Sequence, residues 1–358
     1  MTSLPPSTEL ADARALAARR DWLGLAARLR GVPEAAFVAE PELGFLFADA
    51  CRRVGDTGTA LRVAAQVEPE ARRTGNRRLV LEVVNLLGMT HFEAGRLPDA
   101  AARWEELLSD STDWGDDDHV ARAANGLGVV ANVGGRREAA LTFYQRALAG
   151  YTRVGNRRGL AQTHYNLGIS FRDLKRNDDA DAHYRRAMEL AEATESEDVI
   201  ALAEVERAEL RIRGGDGRLA MSLAARAGER FRRIGDPTGY AGAVRVMASA
   251  ARSGGDDDEA EARLEEALGI ALRHEDALLR AEVQRDRGVL LRDTGRVAEA
   301  REALEDALAH FGRLEAAEDV EVVRGLLEGV GGGSGEGPGG GAGAGADDGA
   351  DDGADSGG

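Results

Sequence analysis

The chain of 358 residues holds one cysteine, Cys51, and one lysine, Lys175. A single thiol excludes an internal disulfide framework and a thiolate metal cluster. A single lysine leaves little for Schiff-base chemistry or a lysine-dependent phosphate loop. The other basic residues are all arginine, as the codon bias of a GC-rich genome would produce. No stretch approaches the roughly 20 apolar residues of a membrane span. Residues 1–16 (MTSLPPSTELADARAL) lack the basic start and apolar run of a secretory signal. A cytoplasmic, reducing location is therefore expected. Positive charge is also missing, because the formal net charge is −17 at pH 7. With no helix-turn-helix and no zinc-ligand pattern, that balance speaks against nucleic-acid binding. Aromatic residues make up only 4% of the chain.

What is abundant is alanine, leucine, arginine, glutamate and glycine, and they recur. The interval is 40 residues over seven copies. One column reads Ala48, Gly88, Gly128, Gly168, Ala208, Ala248, Gly288. A second is alanine throughout, from Ala60 through Ala180 to Ala300. A third reads Gly55, Gly95, Gly135, Lys175, Gly215, Gly255, Gly295, and a fourth Gly75, Gly115, Gly155, Glu195, Gly235, Glu275, Glu315. A fixed period of this length marks a repeat architecture. The first column predicts a mid-helix position where a second helix comes close, since a large side chain there would overpack the crossing. The third predicts a left-handed residue ending the first helix, and the fourth the turn into the next copy. Between these marks the apolar residues keep helical spacing, as in Val83, Val84, Leu87 and Phe92, then Trp104, Leu107 and Leu108. The expectation is an all-α chain of two antiparallel helices per copy.

At these residues the chain resembles the tetratricopeptide repeat (TPR) family. The fourth copy carries the pattern most fully, with Leu167, Gly168, Phe171, Ala180, Tyr184 and Ala187; the third has Leu127, Gly128, Ala140, Tyr144 and Ala147. The 40-residue variant is similar to the repeats of Pins-type spindle adaptors and of actinobacterial regulators with C-terminal repeat arrays. Gly155-Asn156-Arg157-Arg158 before Tyr165-Asn166-Leu167-Gly168 is especially similar to the adaptors. The resemblance implies a right-handed α–α superhelix, a solenoid of antiparallel helix pairs. Six residues beyond the usual 34 would lengthen the helices and the connecting turn. The fifth and sixth copies lack the second-helix aromatic, having Ala224 and Leu264 there, so local looseness is expected around residues 200–270.

The expected organisation is an N-terminal helical cap over 1–40, seven repeats over 41–315, a capping helix over 316–329 and a disordered Gly/Ala/Asp tail over 330–358. Residues 8–31 read as a helical hairpin out of register with the rest, with Asp21-Trp22 opening its second helix. Glu328 stands where the small column would call for Gly or Ala, so nothing is expected to stack beyond it. The tail cannot bury enough apolar surface to offset its ordering, and it carries acidic residues without basic ones.

No catalytic constellation is visible, and no cofactor, metal or small-molecule substrate is expected. The histidines, His91, His119, His164, His183, His274 and His310, show no metal-helix spacing. Asp116-Asp117-Asp118-His119 reads as charge at a helix N-terminus rather than as a metal site. Gly331–Gly337 is glycine-rich but has no preceding strand and no Lys-Ser/Thr after it.

The resemblance implies that the first helices of the repeats line a concave groove. Its groove-facing positions include Asn85, Asn125, Tyr165, Val205, Arg245 and Arg285, and seven residues on, Phe92, Asn132, Arg172, Ile212, Arg252 and Arg292. Two helical turns separate the sets, so each pair shares a face. Arg122 and Asn166 border them. The expected groove has an amide-rich middle, suited to a peptide main chain. Its C-terminal end is basic, suited to carboxylates. The opposing expectation is that the arginines only solvate helices, paired with Glu282, Asp286 and Asp293. The function implied is a scaffold or adaptor holding a peptide or helix of a partner protein, acidic where it meets the arginines. The alternative is a regulatory sensor module acting on a separate effector protein. A lysine-based clamp for C-terminal carboxylates is excluded by composition.

Overall fold

The computed structural model describes residues 7–314 and 316–331. Among the described residues it is helical throughout, with no strand. The chain forms two compact units, one ending at Gly255 and one beginning at Asp256.

The first unit opens with α1 (Thr8–Ala18), α2 (Trp22–Leu29), the short α3 (Glu34–Ala39) and α4 (Pro41–Arg53). Asp21 caps α2 as the sequence suggests, and α1 and α2 both pack on α4. Regular hairpins then follow. They are built from α5 (Thr57–Arg73), α6 (Arg77–Glu93), α7 (Leu97–Trp114), α8 (Asp117–Val133), α9 (Arg137–Val154) and α10 (Arg157–Asp173). They continue through α11 (Asn177–Glu192), α12 (Glu197–Arg213), α13 (Gly217–Ile234) and α14 (Pro237–Ser253).

Two residues in succession punctuate this run. Every twentieth residue from Gly55 to Gly295 has a positive φ, and Lys175, Glu195 and Glu275 do so as non-glycines, at 59°, 51° and 53°. The residue after several of them caps the next helix. Asp56, Asn76, Asp116, Asn156, Asp216 and Asp236 each accept a hydrogen bond from a backbone N–H in the first turn. A left-handed residue ends one helix without a long loop. The cap beside it satisfies an orphan donor of the next helix, worth about 1 kcal/mol. The turns are correspondingly short: Gly115 and Asp116 alone lie between α7 and α8.

The small column meets the second helix as a ring in a notch. A Cβ added at Gly88 would lie 2.7 Å from Trp104, one at Gly128 would lie 2.5 Å from Tyr144, and one at Gly168 would overlap the Tyr184 ring. Ala208 on α12 and Ala224 on α13 stand at the same register, both fully buried. Across 200–253, α12, α13 and α14 are as long as their neighbours.

The second unit consists of α15 (Asp257–Arg273), α16 (Ala277–Asp293), α17 (Val297–Arg313) and α18 (Ala317–Gly331). A Cβ at Gly288 would lie 2.5 Å from Leu304, repeating the notch with an aliphatic side chain. Ala281, Ala303, Leu304, Phe311, Val323 and Val330 form its core. The helix α18 ends two residues beyond the boundary expected from sequence, because Val330 is buried. Glu328 is exposed on it. Glu315 and the tail from 332 onward lie outside the described residues.

Candidate functional site

The first helices of successive pairs, α4, α6, α8, α10, α12 and α14, touch one another in that order. They make a continuous face in the first unit, and the amide positions named from sequence fall on these helices, as do Arg122, Arg172, Arg245 and Arg252, whereas Arg285 and Arg292 fall on α16 of the second unit. The side chains are more fully engaged with one another than their spacing suggests.

Asn85 on α6 is buried, and its Oδ1 accepts from the Trp104 indole N–H at 3.3 Å. It orients the ring that fills the Gly88 notch. Asn125 on α8 turns to α10, where its Oδ1 accepts from Thr163 Oγ1 at 3.2 Å and Asn166 Nδ2 at 3.1 Å. Gln162 Nε2 donates to Asn166 Oδ1 at 3.4 Å. Asn132 Oδ1 accepts from Ser170 Oγ at 2.7 Å, and its amide donates to Asp173 at 3.3 Å. The two asparagines two turns apart on α8 thus bond across to α10 as a ladder and not to each other. The ladder fixes the amides before any ligand arrives. Among the described residues, Asn125 Nδ2 and Gln162 Oε1 have no hydrogen-bond partner.

Past the amides the face is ionic. Arg172 on α10 meets Glu206 on α12 at 2.5 Å and Asp173 at 2.9 Å. Tyr184 Oη also donates to Glu206, at 3.3 Å. Burial pushes the Glu206 carboxyl above its usual range, and neighbouring Glu209 adds to this against the pull of Arg172. Arg245 on α14 meets Glu209 at 3.0 Å. Arg252 on α14 also has interactions of its own. In the second unit, Arg285 meets Asp286 and Asp319, both at 3.1 Å, and Arg292 meets Asp293 at 2.8 Å. Arg172, Arg245, Arg285 and Arg292 are thus each already matched by a carboxylate. The pairing with Asp286 and Asp293 is the one the opposing expectation named. A ligand carboxylate would have to displace a resident one, so these pairs give less net attraction than their charge count suggests.

An open cleft of about 320 Å³ lies along the amide part of the face, lined by Asn85, Arg122, Asn125, Asn156, Arg158 and Gln162 among others. Gly126 and Gly159 also line it and let the Trp104 and Tyr151 rings seat closely, since a Cβ at either would overlap its ring. A second cleft, of about 460 Å³, shares Arg122 and is lined by Glu82, Trp114, Asp116 and His119. His119 is 4% exposed, with Nδ1 3.0 Å from Asp116 and Nε2 3.7 Å from Glu82. Burial alone would depress it, but Glu82 and Asp116 outweigh burial and hold the imidazolium above its ordinary value. The sequence points to Asp116 as a helix-terminal charge, which it is. It gives no sign that His119 would be buried, because Glu82 comes from another helix.

His164 and His183 face each other with Nδ1 atoms 2.9 Å apart, and Phe171 stacks on His183. Burial pushes His164 down to about 4, and His183 adds to this. Among the described residues no group of three or more His, Cys, Asp or Glu is gathered as a metal cluster. No described helix is long and apolar enough to cross a membrane.

The fold is an array of antiparallel helix pairs with left-handed turns and small-residue crossings. The tetratricopeptide repeat family model matches residues 79–151 and 119–193, so this stretch of the chain carries tetratricopeptide repeats. No curated protein matches the sequence. Among solved structures, it is similar to a Rap protein complexed with Competence and Sporulation Factor, at 16% identity and a TM-score of 0.57, over 90% of this chain and 96% of that one. It is also similar to the apo quorum sensor NprR from B. thuringiensis, at 12% identity and 0.56, over 90% and 97%. A third is aspartyl phosphate phosphatase F from Bacillus subtilis, at 12% and 0.54, over 92% and 96%. At these identities the likeness is one of fold.

Proposed function

We propose that the protein is a non-catalytic, cytoplasmic adaptor whose first-helix face holds an extended segment of a partner protein over α6, α8 and α10. The observation that carries this reading is the cleft in which Asn125 Nδ2 and Gln162 Oε1 stand without partners while the rest of each amide is pinned. A fixed donor and a fixed acceptor suit a peptide main chain, which offers the complementary pair at each residue. Pinning them beforehand lowers the ordering cost of binding. Asn132, Asn166 and Asn85 support the two amides and the ring behind them. Arg172, Arg245 and Arg252 set the charge pattern at which a partner is accepted or refused. In this reading residues 1–40 and 316–329 cap the two ends of the seven repeats.

A photo-crosslinking residue at Gln162, introduced in the native cell, tests the reading. The expected result is one dominant crosslinked partner peptide, lost when Asn125→Ala is added. Crosslinking that is unaffected by Asn125→Ala would reject the assignment.

The second reading is a sensor module that acts on a separate effector protein. Its support is the shared fold, over nine-tenths of this chain, with a Rap protein complexed with Competence and Sporulation Factor and with a quorum sensor. Small-angle scattering with and without the crosslinked peptide separates the two. A sensor changes its radius of gyration on binding, and a rigid adaptor does not.

A further inference from the structure

Arg122 on α8 lines both clefts. Its Nε donates to Asp118 at 2.7 Å, and its guanidinium lies 3.8 Å from Glu82 on α6. The other oxygen of Glu82 faces His119 Nε2 at 3.7 Å. One carboxylate therefore stands between two cationic groups and is in close hydrogen-bond contact with neither. Asp118 in turn accepts from Asn156 Nδ2 at 2.7 Å, and Asn156 caps α10 through Gly159 N–H at 2.9 Å. A short chain of polar contacts thus runs from His119 to the wall of the peptide cleft.

We propose that His119 and Arg122 compete for Glu82, so that a protonated His119 holds Glu82 and releases Arg122 to an acidic residue of the bound peptide. The proposal deepens the peptide-binding reading and rests on it. Arg122 becomes the residue that selects an acidic side chain, and His119 the positioning group behind it. The charged groups around His119 permit this arrangement. Asp116 faces Nδ1 from the turn before α8, and Arg77 and Arg78 border the cleft from the start of α6. From α9, Tyr151 approaches Arg122 without carrying charge at neutral pH. Arg153 on α9 is occupied by Asp117 at 2.7 Å. Glu82 is thus the one carboxylate that both cationic groups reach. Its own carboxyl is held below the usual range, because His119, Arg122 and Arg78 together outweigh its burial.

The sign of the effect follows. As pH falls through the His119 value, Glu82 turns to the imidazolium and a ligand carboxylate gains Arg122. Linkage requires the reverse as well, so an acidic ligand raises the His119 value.

The test uses the full chain labelled with 13C-histidine and with 15N-asparagine and 15N-glutamine. It employs two probes, acetyl-Ala-Glu-Ala-amide and acetyl-Ala-Gln-Ala-amide, titrated by NMR at pH 6 and pH 8. The glutamate peptide should bind about fivefold more tightly at pH 6 than at pH 8, a size typical of coupled sites. The glutamine peptide should show no such preference. Arg122→Gln should raise the His119 value and Glu82→Gln should lower it. Glu82→Gln should also make glutamate-peptide binding insensitive to pH, at the tighter level. Binding of both peptides with no pH preference, or a His119 value indifferent to Arg122→Gln, overturns the competition and leaves the peptide cleft standing. If neither peptide perturbs Asn125 or Gln162 at either pH, the cleft reading fails, and the switch falls with it.

Discussion

The hairpins α8/α9 and α12/α13 share a backbone frame and fill it in opposite ways. In α8/α9 the crossing is a glycine notch, Gly128, occupied by the Tyr144 ring. In α12/α13 the same two positions are Ala208 and Ala224. Four residues earlier on the first helix, α8 has the buried Ala124 and α12 has Glu204, a carboxylate with no exposure at all. Glu204 is held from α13 by Arg226 and by Arg230 at 3.1 Å. One hairpin is stabilised by ring volume and the other by two small residues beside an ionic cluster. The comparison teaches that one pair of helix lengths, 17 and 18 residues, accepts two fillings. The side chains at the two crossing positions differ together between the hairpins.

The largest effect should come from breaking that covariation. Tyr144→Ala should cost about 3–5 kcal/mol by leaving a ring-sized cavity. Gly128→Ala should cost about 1–3 kcal/mol by overpacking. The double substitution recreates the Ala208/Ala224 arrangement, so it should cost less than the sum by about 1 kcal/mol or more. Urea midpoints of the four proteins measure this, and additivity would show that the ring and the notch are independent.

Next in size is the ionic centre. Glu204→Ala should cost about 3 kcal/mol, since it removes a fully buried carboxylate from between Arg226 and Arg230. Arg230 keeps Glu197 at 2.5 Å, which limits the loss. A cost below about 1 kcal/mol would place Glu204 among ordinary surface pairs, despite its burial.

How much of this was legible in the sequence depends on how far apart the partners lie. The helix-end column was readable because a left-handed residue leaves a local mark, glycine followed by a capping Asp or Asn. The small column was readable for the same reason, and Gly128 with Tyr144 could be found as a pair sixteen residues apart. The replacement of that pair by Ala208 and Ala224 was read as looseness, because a missing aromatic is conspicuous and a compensating methyl group is not. The site was less legible. Asn125 was placed on the correct helix, but its partners Thr163 and Asn166 are 38 and 41 residues away. Nothing in the spacing showed that Asn85 serves Trp104, or that Arg172 and Arg245 are already claimed by Glu206 and Glu209. Pairing across neighbouring hairpins depends on the rise from one copy to the next, which a one-dimensional period does not carry.

A smaller effect extends the comparison to the turns. The α8/α9 hairpin is bounded by Gly135 and Gly155, while α10/α11 has Lys175 and Glu195 in the same left-handed conformation. A side chain there costs about 1–2 kcal/mol per residue, partly offset by the greater entropy of glycine in the unfolded chain. Lys175→Gly and Glu195→Gly should each raise stability by about 0.5–1 kcal/mol, and Gly135→Ala should lower it by about 1 kcal/mol. Thermal midpoints suffice to check the signs. A loss of stability on Glu195→Gly would show that its side chain makes an interaction worth more than the strain.

The last contrast is between two buried charges, Glu204 and His119. Burial pushes the Glu204 carboxyl up, and its two arginines do not cancel that push. At His119, burial is overcome by Glu82 and Asp116, so the charged form gains on folding. A histidine raised in the folded state contributes stability that is complete below its unfolded value of about 6.5. That contribution is lost as pH rises through the folded value. His91, His164 and His183 are depressed by burial, so their contributions change below about pH 6.5 and carry the opposite sign. The urea midpoint should therefore fall modestly from about pH 6.5 upward in the natural chain. The same fall should survive in Glu204→Gln and disappear in His119→Gln. A midpoint that does not change across that interval would mean that Glu82 and Asp116 do not hold the proton on His119, and the two buried charges would then be alike in resisting their own ionisation.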